Sequence, residues 1–310
     1  SLSSEKIREQ GYDAGFQDVD LLDRVVDGAP LSERLGEKAM VDTIVKEGPF
    51  PDLAGACNGS DLLCQRRYNE VAYPTTHNSM SNQKDNWLAP NQKSPISTQL
   101  RDGIRGLMLD TYEHEGEAYL CHGQCAFGKR KLVDGLTDIR NFLDIHQREV
   151  VTIIFETYLS SSKTQKVFVD SKLLQYVHTQ KKGDPWPTLQ KMIASGKRLV
   201  VFTDRDGGSF PWYHEIWSFA WDTQWSNQSK KDMTCNKNRG NQSNALFIFN
   251  HFLSNPLPEQ SLAREANFNP FFIDRAKQCQ KESGRLPNFI TVDFYEIGDV
   301  FEVVRILNGL

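Results

Sequence analysis

Five polar groups stand where short apolar runs stop: His77 in Thr76-His77-Asn78-Ser79, Asp110, His122 in Cys121-His122-Gly123, Glu156 and Asp293. Two imidazoles can share proton transfer, because an ordinary pKa of about 6.5 lets one accept and the other donate near neutral pH. Carboxylates beside them can orient an imidazole or hold a hard cation. Two arginines are candidates for a phosphate, Arg105 ahead of the second run and Arg205 in the segment 204–208. That segment, Asp204-Arg205-Asp206-Gly207-Gly208, lacks the full spacing of a calcium loop and reads as a turn after a strand. His114, His146, His178, His214 and His251 read as structural histidines.

These groups are spread over more than two hundred residues, so a fold must gather them. From residue 70 onward, β-branched runs alternate with amphipathic stretches, the pattern of strand and helix units around a parallel sheet. Strands are expected at 71–75, 106–111, 118–121, 150–156, 198–203, 245–250 and 289–295, and helices at 131–146, 167–179, 187–193, 260–281 and 299–307. The expected fold is α/β, an irregular or incomplete TIM-type (β/α) barrel over 51–310, which brings the strand ends to one face. Residues 1–50 hold eleven acidic and six basic side chains, a balance of −5 that leaves +1 for the remainder. Their apolar spacing predicts a helical N-terminal extension ending at Gly48-Pro49-Phe50-Pro51.

Over 310 residues, 36 basic and 40 acidic side chains give −4, which argues against a nucleic-acid binder with a broad basic face. The apolar runs fall far short of a membrane span. No charged-then-apolar leader opens the chain at Ser1, so a secretion signal is expected to be already removed or never to have existed. Six cysteines, Cys57, Cys64, Cys121, Cys125, Cys235 and Cys279, predict three disulfides and an oxidising compartment, with sequence neighbours as the first guess for pairing. Cys121 and Cys125 with His122 also suggest zinc, but a fourth ligand is missing, and a disulfide clamp on the strand end is preferred. Sequons at Asn58, Asn227 and Asn241 fit a secreted glycoprotein. Trp212, Trp217, Trp221 and Trp225 cluster in a segment that either packs on the core or touches a membrane surface, the first being favoured.

Five motifs in order, AYPTTHNS (72–79), QLRDGIRGLMLD (99–110), LCHG (120–123), EVVTIIFE (149–156) and PNFITVDFY (287–295), resemble the catalytic X domain of phosphatidylinositol-specific phospholipases C. The resemblance covers roughly residues 55–310, and the cysteine placement is similar to that of secreted plant and fungal X-domain proteins. It implies that His77 is the general base on a sugar hydroxyl, His122 the general acid on the leaving oxygen and Asp293 the carboxylate that orients the base. It also implies a calcium site at Asn78, Asp110 and Glu156, with Arg105 or another base serving the phosphate if the site is metal-free. Met108 stands where calcium-dependent members usually carry another acidic ligand, which predicts weaker binding or more bound water.

The expected activity is a secreted phosphoric diester hydrolase that acts on phosphatidylinositol-like lipids through a cyclic phosphate, with transient peripheral membrane contact. No basic cluster follows Val200-Val201-Phe202, which favours a singly phosphorylated head group. The alternatives are a glycerophosphodiester or sphingomyelin-type phosphodiesterase, and a barrel that binds a phosphoinositide or glycan without turnover.

Overall fold

The computed structural model describes residues 55–310, so the expected N-terminal extension lies outside the described residues. Among these residues eight strands run parallel: β1 (Tyr73–Thr76), β2 (Gly106–His114), β5 (Val151–Thr157), β6 (Leu199–Thr203), β7 (Tyr213–Glu215), β8 (Ala220–Thr223), β10 (Leu246–Asn250) and β11 (Phe289–Val292). They follow the order β7-β6-β5-β2-β1-β11-β10-β8, so the ring is open between β7 and β8 among the described residues. The short turn Ile216–Phe219 joins those two strands. The expected incomplete barrel is therefore observed, with its gap at the aromatic segment.

Parity along the strands sorts the core. Val151, Ile153 and Phe155 pack in the layer that holds Leu136 and Ile139, while Val150 and Ile154 join Val200, Phe202, Ile248 and Phe289. Alternation of this kind is what a strand covered on both faces requires. The second set shares its face with Met108, Asp110, Glu156 and Asn250, which line the cavity at the strand ends. Burial of one apolar set thus aims the polar residues that follow it.

Local chemistry explains where expectation and structure part. The run 118–121 is not a barrel strand: β3 (Glu117–Cys121) folds back antiparallel on β2, because Glu115 and Gly116 at φ 52° and 80° make a two-residue hairpin turn. Two short strands, β4 (Lys129–Lys131) and β9 (Lys237–Gly240), add antiparallel to β3 and β8 and carry no apolar run to announce them. The helix expected at 167–179 is Ser161–Asp170, which starts where Ser160 accepts from Lys163 N–H and stops before Lys172 at φ 59°. The stretch 260–281 splits into Gln260–Ala266 and Phe271–Ser283 at Asn269-Pro270, where proline bars a continuous helix. Helix Ile96–Asp102 was not expected, and Leu132–Ile145, Leu189–Ser195 and Val300–Leu307 fall near their expected places.

The disulfides join Cys57 to Cys64, Cys121 to Cys125 and Cys235 to Cys279, which excludes the zinc reading of Cys121 and Cys125. Trp212 and Trp221 belong to the core, the latter stacked on Phe247 at 3.8 Å. Among the described residues no helix is long and apolar enough to cross a membrane.

Candidate active site

The strand ends open into a cavity of ≈ 690 Å³ that gathers residues from every quarter of the described chain. His77 follows β1, and its backbone N–H donates to Val292 O at 3.0 Å, which locks the ends of β1 and β11 together. Asp293 follows β11, and the His77 Nδ1 and Asp293 Oδ1 atoms lie 2.9 Å apart. With Nδ1–H given to that carboxylate, Nε2 of His77 is left with a free lone pair. The carboxylate is 4 % exposed and the imidazole 22 %. The ring lies flat on Phe252, centroids 4.0 Å apart, so its plane is fixed.

His122 follows β3, and the antiparallel register Thr111↔Leu120 brings it back toward Asp110 in the middle of β2, where the Cys121–Cys125 disulfide clamps it. Asn78 Nδ2 donates to Nε2 of the neutral His122 ring at 3.2 Å, so the residue that follows His77 in sequence touches the second imidazole. Asn78 adopts φ 45°, a left-handed turn that asparagine tolerates. Burial, then the nearby His77, lowers the pKa of His122 from its usual value, and Asp293 and Glu156 offset part of the effect.

Asp110 and Glu156 are direct partners across β2 and β5, and Asp204 follows β6 with its Oδ1 accepting from Thr157 N–H at 2.9 Å. Burial, then Glu156 and Asp204, raises Asp110 well above the ordinary carboxylate range. Asp204 is raised too, first by burial and then by Glu156. Tyr158 donates to Glu156 Oε1 at 2.8 Å and stacks on Tyr112, a second wall of the cavity. Among the described residues no three carboxylate, histidine or cysteine side chains form a ready-made metal cage.

Two expected phosphate ligands are elsewhere. Arg105 precedes β2, at the end of the barrel opposite the cavity, where its Nε donates to Glu149 Oε2 at 2.6 Å and its Nη1 to Leu100 O and Ile104 O at 2.8 Å. A buried ion pair ahead of a strand serves stability, so the expectation for Arg105 is corrected. Arg205 lies over the Tyr158 ring, 4.4 Å from its centroid, outside the residues that line the cavity.

Sequence reasoning missed Asn91, Tyr112, Asp204 as a cavity residue, and Arg239. Arg239 is the one lysine or arginine among the described residues lining the cavity. Its Nε and Nη2 donate to the buried Asp222 Oδ2 at 3.0 and 2.5 Å, its backbone N–H to Oδ1 at 2.7 Å, and its guanidinium lies over Trp217. Trp225, 48 % exposed, stands at the cavity mouth.

The other expectations settle simply. His214 and His251 are buried, with Val201 O and Ala266 O as partners. Asn227 is buried, and both polar atoms of the Asn58 side chain are bonded to Val150, so Asn241 is the one exposed sequon of the three.

A family model described as PI-PLC X 1 matches residues 63–308. A PI-PLC X domain-containing protein of Arabidopsis thaliana is 30 % identical over 78 % of this chain and 62 % of its own length. An uncharacterized secreted protein of Arthroderma benhamiae is 29 % identical over 84 % of this chain and 66 % of its own. A PI-PLC X domain-containing protein of the same fungus is 29 % identical over 82 % and 90 %. The chain thus spans under two thirds of the length of the first two relatives. Solved structures of variants of phosphatidylinositol-specific phospholipase C from Staphylococcus aureus share the fold at a TM-score of 0.54, with 15 % identity in one case and 14 % in another, over 85 % of this chain and 98 % of theirs.

Proposed function

The chain belongs to the PI-PLC X-domain family, and on that premise we propose that it is an extracellular phosphodiesterase of the phospholipase C type that cleaves phosphatidylinositol-like lipids. The observation that carries the reading is the pairing of His77 with the buried Asp293 across one cavity mouth from His122. A protein that only binds a head group has no need of an imidazole oriented by a carboxylate.

In this reading, Nε2 of His77 takes the proton of a ring hydroxyl adjacent to the phosphate. The resulting oxygen attacks phosphorus, the bond to the lipid oxygen breaks, and His122 protonates that oxygen as diacylglycerol leaves. The other product is a cyclic phosphodiester of the head group. The depressed pKa of His122 makes its cation a stronger acid and readier donor.

Positive charge for the phosphoryl oxygens has few sources. Arg105 is remote, and Arg239 is neutralised by Asp222. Asp110 is buried, and the charged neighbours that act on it are both acidic, so its surroundings suit a cation. We assign calcium to Asp110, Glu156 and the amide oxygen of Asn78, with water completing the shell in place of the ligand that Met108 lacks. Bound there, calcium would supply Lewis-acid stabilisation of the phosphoryl charge.

Three disulfides and a relative named as secreted support an extracellular setting. Trp225 at the mouth supports a transient membrane contact. The test is release of water-soluble head group from phosphatidylinositol vesicles by the purified protein, with calcium and with chelator. His77→Ala and His122→Ala should each abolish release while vesicle binding persists; retained release in His77→Ala would reject the mechanism.

A further inference from the structure

Asn91 and Gln92 lie in the loop between β1 and helix Ile96–Asp102, and both are almost wholly buried at 1 % and 0 % exposure. Their side chains reach the two strand ends that carry His77 and Asp293. Gln92 Nε2 donates to His77 O at 2.8 Å and to Val292 O at 3.1 Å, while Tyr295 N–H donates to Gln92 Oε1 at 3.3 Å. Asn91 Nδ2 donates at 3.0 Å to Asp293 Oδ1, the same oxygen that meets His77 Nδ1, and Phe294 N–H donates to Asn91 O at 2.8 Å.

The carboxylate has few other restraints. Asp293 Oδ2 is buried with no hydrogen-bond partner, so the two side-chain donors, His77 and Asn91, both meet one oxygen. Turning the Asn91 amide over would set its carbonyl oxygen against Oδ1, acceptor against acceptor, which fixes the orientation. Asn91 Nδ2 also lies 3.4 Å from His77 Nδ1, and two N–H donors at that separation must both point at the shared oxygen. The geometry leaves the carboxylate one setting in which it can hold Nδ1–H and present Nε2 to the cavity.

We propose that Asn91 is a positioning residue for the His77–Asp293 pair, with Gln92 holding the two strand ends in register beneath it. The inference rests on the catalytic reading given above. Without the Asn91 amide, the Asp293 carboxylate can rotate and the imidazole loses its fixed direction, a loss felt in turnover more than in substrate binding.

The experiment combines kinetics on phosphatidylinositol vesicles with the proton resonance of the His77 Nδ1–H in labelled protein. Asn91→Ala should lower kcat about 10- to 100-fold, the range for a hydrogen bond to a charged group, with KM within about 3-fold. In an Asp293→Asn background the same change should have almost no further effect, because residues acting as one unit are non-additive. The downfield Nδ1–H resonance of the parent protein should move upfield or broaden in Asn91→Ala. If Asn91→Ala does not fold, Asn91→Leu keeps most of the volume, removes the donor and should give the same loss. Parent-like kcat, full additivity with Asp293→Asn, or an unmoved resonance in a folded variant would overturn the proposal. The resonance needs no substrate: if the parent cleaves no phosphatidylinositol, a shifted resonance still upholds the positioning role and only the substrate assignment fails.

Discussion

Removal of Arg105 separates two roles that its place in the sequence confounds. Its guanidinium donates to Glu149 at 2.6 Å, both side chains are 7 % exposed, and two further hydrogen bonds reach the backbone oxygens of Leu100 and Ile104. It also lies over the Phe142 ring, 4.8 Å from the centroid. Arg105→Ala leaves Glu149 charged, buried and unpaired, a loss of about 3–5 kcal/mol. Against a domain stability of about 5–15 kcal/mol, that is a large part of the whole. Urea unfolding followed by tryptophan fluorescence should show a lower midpoint with an unchanged slope. The double replacement Arg105→Met with Glu149→Leu should recover most of the loss, because apolar residues of similar volume need no counter-charge. Turnover by the folded fraction should stay within about 3-fold of the parent, since neither residue lines the cavity. A variant with parent stability and a turnover loss above about 100-fold would refute the placement and restore Arg105 as a phosphate ligand.

Other consequences follow from the site. His122 acts in its protonated form and its pKa is lowered, so kcat/KM should fall as pH rises through a value below the ordinary imidazole pKa of about 6.5; a pH–rate profile flat to about pH 8 would contradict the role. Asp110 is raised, so calcium must compete with its proton at higher pH than at an ordinary carboxylate, and affinity should grow with pH. Calorimetry in buffers of different ionisation enthalpy should detect the released proton, and pH-independent affinity would remove Asp110 as a ligand. A Cβ on Gly106 would come within 2.2 Å of the Thr75 Oγ1, two residues before His77. Gly106→Ala should therefore destabilise by about 1–3 kcal/mol, with Thr75→Ala recovering part of it, as thermal unfolding would measure.

Of the expected site residues, His77, Asn78, Asp110 and Glu156 line the cavity from motifs whose apolar runs are strands of the barrel, and His122 lines it from the hairpin strand that folds back on β2. Once 150–156 is a buried parallel strand, Glu156 can only emerge at its end, on the face of Ile154. Arg105 misled because nearness to a motif does not say which end of the strand a residue occupies; it comes before β2, and the cavity lies beyond it. The run 118–121 looked like a barrel strand, although the stretch 112–117 that separates it from 106–111 is too short for a parallel crossover and leaves only a hairpin return. Asn91, Asp204 and Arg239 come from a loop, a turn and a charged edge strand, where no periodicity marks which side chain will be buried. Their positions follow from tertiary contacts: Asn91 from Asp293, Arg239 from Asp222.

The chemical form of the first product tests the central claim most directly. Phosphorus NMR of phosphatidylinositol vesicles turning over with calcium should show a cyclic phosphodiester as the first soluble species, absent with His77→Ala. A linear phosphomonoester appearing first, or an equal rate from His77→Ala, would contradict attack by a neighbouring hydroxyl under His77 base catalysis.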